Sequence, residues 1–117
     1  INTELTERLH EKAYLNAYTY YKTGKYKSAI VAFKNALKQY PESKRREEIM
    51  YLIVDSGYRL ASNSISEKQT DRYLSMLDSY LSFKEEFPES KHIKEVDRMA
   101  KHARDYLDRN KKDDNNI

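Results

Sequence analysis

The chain has 117 residues, with 22 Lys and Arg against 19 Asp and Glu and a net charge of +3. That length supports one domain with a modest core, and the interleaving of the two signs reads as solvated surface rather than a nucleic-acid footprint. There is no cysteine, which excludes disulfide staples, thiol catalysis and Cys-based metal sites. No apolar run reaches the length of a membrane span. The sequence starts at Ile1 with neither an initiator Met nor a signal peptide and reads as a processed piece of a longer protein.

Taken in chain order, residues 3–22 form a first predicted helix, with Leu5, Leu9, Ala13, Ala17 and Tyr20 along one face at steps of three and four. Tyr14, Tyr18 and Tyr21 form a second stripe, rotated from the first. Lys22 to Lys25 is a turn in which Gly24 supplies the left-handed residue that ends a helix. A second helix over about 25–40 carries Tyr26, Ala29, Ile30, Phe33, Ala36, Leu37 and Tyr40 on one side, with Lys27, Lys34 and Lys38 facing water. Pro41 stops it. Ser43 is expected to cap a third helix over 44–62, with Ile49, Ile53, Leu60 and Ala61 inward. Gly57 inside that helix costs about 1 kcal/mol relative to Ala, so it implies a close helix contact.

Ser66 and Gln69 have the spacing of a capping box. The fourth helix, about 67–86, uses Tyr73, Met76, Leu77, Tyr80, Phe83 and Phe87. Pro88 ends it and Ser90 is expected to cap a fifth helix lined by Ile93, Val96, Ala100, Ala103 and Leu107. The domain is placed at 1–110, and the polar residues 111–117 are expected to fray.

The stretch 20–41 holds Tyr20, Ala29, Phe33, Ala36 and Pro41 at the spacing of the second half of a tetratricopeptide (TPR) repeat. Small Ala29 and Ala36 admit a neighbouring helix, and Phe33 fills the space between. Tyr-Pro-Glu-Ser-Lys at 40–44 returns as Phe-Pro-Glu-Ser-Lys at 87–91, an offset of 47. The predicted fold is therefore all-α: two antiparallel TPR-like hairpins and a C-terminal capping helix. Met76 and Phe83 stand where the first hairpin has small residues, which predicts wider helix spacing in the second.

Beyond these motifs, nearly the whole chain resembles the C-terminal part of the BamD family, the TPR lipoproteins of the outer-membrane β-barrel assembly machinery, in its Bacteroidetes branch. The carrying stretches are Gly24 to Lys44, Asp71 to Tyr80, and Phe87 to His92 with the Lys94 to Asp97 that follows. The resemblance implies a periplasmic scaffold held at the outer membrane by a lipid outside this piece, with the periplasmic domains of the barrel-assembly subunit as partner. A periplasmic TPR adaptor of another envelope process is the alternative.

Two Glu-x-x-His pairs, Glu7 with His10 and Glu89 with His92, have the spacing that holds metal on bundle helices. Glu89 directly follows Pro88, in a turn, so no metal, cofactor or catalytic site is expected, and a bundle-type metal oxidoreductase is the rival reading from the enzyme class. The expected interaction residues are Tyr14, Tyr18 and Tyr21, then Arg45, Glu48, Asp55 and Arg59 on the third helix and Lys94 and Arg98 on the fifth. In a TPR the tyrosine positions line the concave groove, which suits a peptide or partner helix. Packing on an upstream repeat is the other reading of the same strip.

Overall fold

The computed structural model describes residues 3–115. They form five helices, α1 (Thr3–Lys22), α2 (Tyr26–Gln39), α3 (Arg46–Ser62), α4 (Ser66–Glu86) and α5 (Ile93–Asn115). No strand occurs among the described residues. Each helix packs on the next, and α5 also returns to α3. Short turns between packed neighbours make α1/α2 and α3/α4 the two expected hairpins. The molecule measures 63 × 28 × 19 Å. Its least dimension is about two helix diameters, so the stack is only two helices deep. The expected domain edge at 110 falls inside α5, which runs on to Asn115.

The turns follow from local chemistry. Gly24 adopts φ +80°, the only positive φ among the described residues. Its N–H donates to Tyr21 O and the Lys25 N–H donates to Tyr20 O, which satisfies the last carbonyls of α1 in a Schellman arrangement. The two Pro-Glu-Ser turns are copies of one another. Ser43 Oγ accepts from the Arg45 N–H and Ser90 Oγ accepts from the His92 N–H, both at 3.1 Å. Their carbonyls then accept from Arg46 N–H and Ile93 N–H. Each serine thus closes a turn rather than capping the helix itself, and α3 and α5 start later than the sequence predicts. The expected capping box is not made either. Ser66 is already helical, and Gln69 reaches back to donate to Ala61 O at 3.0 Å, which ties the start of α4 to the end of α3.

The core has two parts. One joins Tyr14, Ala17, Ala29, Phe33 and Ala36 to Ile49, Leu52 and Ile53. The other joins Val54 and Ala61 to Tyr73, Met76, Tyr80, Phe83 and the α5 residues Val96, Met99, Ala100 and Ala103. Helix α3 contributes to both. Residues Leu52 to Gly57 are buried without a break.

Two expectations are corrected by this packing. Leu5, Leu9 and Tyr20 are not core. They are 52%, 44% and 37% exposed, while Ala17 of the same stripe and Tyr14 of the neighbouring one are buried. The tyrosine strip packs on α2 and α3 of its own chain, with Tyr18 and Tyr21 left half-buried. Met76 and Phe83 do not hold α3 and α4 apart. The small residue has moved to the other helix: a Cβ on Gly57 would sit 3.3 Å from Met76 Cβ, so backbone approaches side chain where the first hairpin uses alanine.

Substituting Gly57→Leu should therefore cost about 1–3 kcal/mol through overpacking against Met76. Ala29→Leu, at a fully buried position, should cost a similar amount, and half-buried Ala32→Leu less. Thermal or denaturant unfolding of the three variants checks the order.

Candidate partner-binding face

The charged and aromatic residues singled out in the sequence lie on the face shared by α1, α3 and α5. Arg45 leaves the turn before α3 and reaches back to α1. Its Nε and Nη2 donate to the two Glu11 carboxylate oxygens at 3.0 and 2.7 Å, and its guanidinium lies 4.5 Å from the Tyr14 ring centroid. His92 leaves the equivalent turn before α5 and does the same to α3. Its Nε2 is 3.1 Å from Glu48 Oε2, and its ring stacks on Tyr51 at 3.8 Å with an interplanar angle of 8°. One device is used twice: a cationic or imidazole group clamped between a Glu and the Tyr three positions on.

The device has a second contact one repeat of seven residues further along each helix. Tyr21 Oη donates to buried Asp55, whose Oδ2 also accepts from Arg59 Nε at 2.9 Å. In the next repeat Tyr58 Oη pairs with His102 Nδ1 at 2.6 Å. Glu11-x2-Tyr14-x6-Tyr21 and Glu48-x2-Tyr51-x6-Tyr58 are the same motif, and Arg45/His92 and Asp55/His102 are its receiving positions at the 47-residue offset. Sequence reading missed this. The signal was present, but the donor motif repeats at 37 residues and the receiving positions at 47, so no single period exposes both.

These contacts settle where each predicted site residue stands. Tyr14 is buried beneath Arg45. Tyr18 and Tyr21 are half-buried, with ring centroids 5.6 Å apart. Asp55 is only 1% exposed, so it lies under the surface rather than on it. Arg45 and Arg59 are exposed but bound to Glu11 and Asp55. Glu48 is half-buried beside His92. Lys94 and Arg98 are exposed, and Arg98 Nη2 lies 3.8 Å from Glu95 Oε1 on the same helix. Between α4 and α5 the Pro88 turn and Glu47 border a hollow of about 400 Å³.

Electrostatics follow the burial. Burial, then the hydrogen bond to Asp55, raises the Tyr21 phenol well above its ordinary pKa. Burial, with Asp55 and Glu95 adding to it, raises Tyr51 to about 12. On α5, Asp97 is held below the usual carboxylate range because Tyr80 Oη donates to it at 2.5 Å and Lys84 Nζ lies at 3.0 Å. The two Glu-x-x-His pairs are engaged elsewhere. Glu7 pairs with Lys44 at 3.0 Å, His10 packs on Tyr40 at 4.5 Å, and His92 is clamped on α3. Among the described residues no group of three His, Asp or Glu side chains could hold a metal ion.

Two stacked helical hairpins with a closing helix, fastened along one face by a repeated aromatic and ionic ladder, define a TPR-like helical domain. Sequence comparison gives its family: the model of the outer membrane lipoprotein family YfiO matches residues 5–112. The chain belongs to that family, the BamD family of lipoproteins associated with outer-membrane assembly. No curated protein matches it significantly. No described helix is long and apolar enough to cross a membrane.

Removing the Tyr21 hydroxyl leaves a buried carboxylate one donor short. Tyr21→Phe should cost about 1–3 kcal/mol, and Tyr58→Phe, whose partner His102 is exposed, clearly less. Denaturant titration of both variants decides this. The raised Tyr51 pKa also sets a pH dependence. Between the ordinary value of 10.0 and about 12, the unfolded chain releases the proton first, so stability falls as pH rises through that window. Unfolding curves collected from pH 8 upward should show the loss, and Tyr51→Phe should reduce its slope.

Proposed function

We propose that the chain is a protein-binding scaffold of outer-membrane β-barrel assembly, working at the periplasmic face of the outer membrane. Its partner is the periplasmic part of the barrel-assembly subunit, and its membrane attachment is a lipid outside residues 1–117. Family membership supports the setting. The proposed contact is formed by the exposed face of α5 around Lys94 and Arg98, with the Pro88 turn beside it.

The observation that carries this choice is the end of the ladder. The motif positions on α1 and α3 each receive a side chain from the following helix. On α5 the equivalent positions are Glu95, Arg98 and Asp105, with Arg98 standing where the earlier helices place a tyrosine. Glu95 and Arg98 side chains are 46% and 63% exposed, and no later helix covers them among the described residues. The surface matching the one that receives a neighbour on α1 and α3 is thus exposed among the described residues, with the first tyrosine replaced by Arg98, a cation suited to a partner carboxylate, and the second by Asp105, which pairs with Lys101.

Arg45 and Arg59 hold helices together, so their truncation mixes stability with binding. Lys94 and Arg98 are the cleaner probes. Titration of the folded chain with its cognate periplasmic domains, at low and physiological salt, should give saturable binding. Arg98→Ala should cost about 2 kcal/mol or more if its guanidinium is desolvated on a carboxylate, and Lys94→Ala should mainly slow association and flatten the salt dependence. Absence of binding at both salt concentrations would overturn the proposal and favour the adaptor of another envelope process.

A further inference from the structure

Helix α3 presents its ladder residues Tyr51, Asp55 and Tyr58 on one side. Met50, Ile53, Gly57 and Leu60 fall about half a turn away, at 100° per residue. On that far side α2 and α4 flank α3, and the space between them forms two contiguous hollows of about 220 and 280 Å³ that share Lys34, Ile53 and Ser79. The floor is apolar: Ile53 and Met76 are 6% and 1% exposed, and Gly57 adds no side chain to fill it.

The rim is cationic. Lys27 and Lys34 rise from α2 and Arg72 from α4, against the single acid Asp78. None of these three cations is in a salt bridge among the described residues. Arg72 donates only to Ser64 Oγ, at 2.5 Å. This differs from the ladder face, where Arg45 and Arg59 each have a carboxylate. The groove wall on α4 runs from Arg72 to Ser82, about 15 Å at the helical rise, which matches about three turns of a bound helix.

We infer that this groove docks an acidic amphipathic helix of a partner protein. Apolar side chains at i, i+3 or i+4, and i+7 enter the two hollows, and flanking Asp or Glu residues pair with Lys27, Lys34 and Arg72. The cationic rim decides the sign of the partner, and the apolar floor decides its amphipathic character. The site lies on the opposite side of α3 from the proposed α5 contact, so either can fail without the other.

The test is display selection on the full chain from a library of helical peptides randomised over about three turns, followed by affinity measurement of the selected peptides. The expected winners carry the apolar spacing with flanking carboxylates. A Lys27→Glu/Lys34→Glu chain should bind them about tenfold or more weakly, while Arg98→Ala should leave them unchanged. Both lysines are exposed, and circular dichroism confirms that the double variant remains folded. Neutral or basic winners, winners indifferent to the double variant, or no enrichment over background would each overturn the inference. Self-association of the chain alone that the double variant abolishes would assign the groove to a second copy and overturn it equally.

Discussion

Everything in this fold is arranged around a helix with no free side. From Leu52 to Gly57 six successive residues of α3 are buried, so the helix must be covered by α1, α2, α4 and α5 together. Hydrophobic burial alone does not fix that arrangement, because an apolar helix accepts neighbours at many angles. Asp55 does. A carboxylate 1% exposed is tolerable only with donors in place, and one of those donors, Tyr21, belongs to α1. On the opposite side Gly57 lets α4 approach closely, for a Cβ there would stand 3.3 Å from Met76 Cβ. The position of α1 is thereby set by charge and that of α4 by shape.

The ladder along α1, α3 and α5 shows how one solution is reused with changed chemistry. Arg45 and His92 are different groups in the same clamp, and so are Asp55 and His102. A guanidinium and a buried carboxylate stand in the first repeat, and imidazoles stand in the second. The helices themselves are not copies: α2 has 14 residues and α4 has 21. What repeats is the meeting point between successive helices on one face, while the length of chain connecting those points varies.

Much of the fold was legible because helical periodicity, two prolines and Gly24 act locally. Five helices, their order and the repeated Pro-Glu-Ser turns follow from such signals. What the sequence left open is which stripe of a helix faces inward when two are apolar. On α1 the leucine stripe looks the better core, yet only its Ala17 is fully buried, and Tyr14 of the neighbouring stripe lies inside, against Phe33 and beneath Arg45. The same limitation hid the site. Arg45 and Asp55 were readable as charges on one face, but their partners Glu11 and Tyr21 sit more than thirty residues away in sequence. Lys94 and Arg98 are exposed and have no such distant partner among the described residues.

Because α3 belongs to both core clusters, the two halves of the molecule are not independent folding units. In a linear array each end helix is held from one side, whereas opening α3 breaks both interfaces at once. Within the described residues local opening should therefore be easiest at the outer turns of α1, where Leu5 and Leu9 meet solvent, and amide exchange should be slowest in the middle of α3. The exposed face of α5 consequently rests on the element expected to exchange most slowly, and a load applied there passes to the whole domain as one mechanical body.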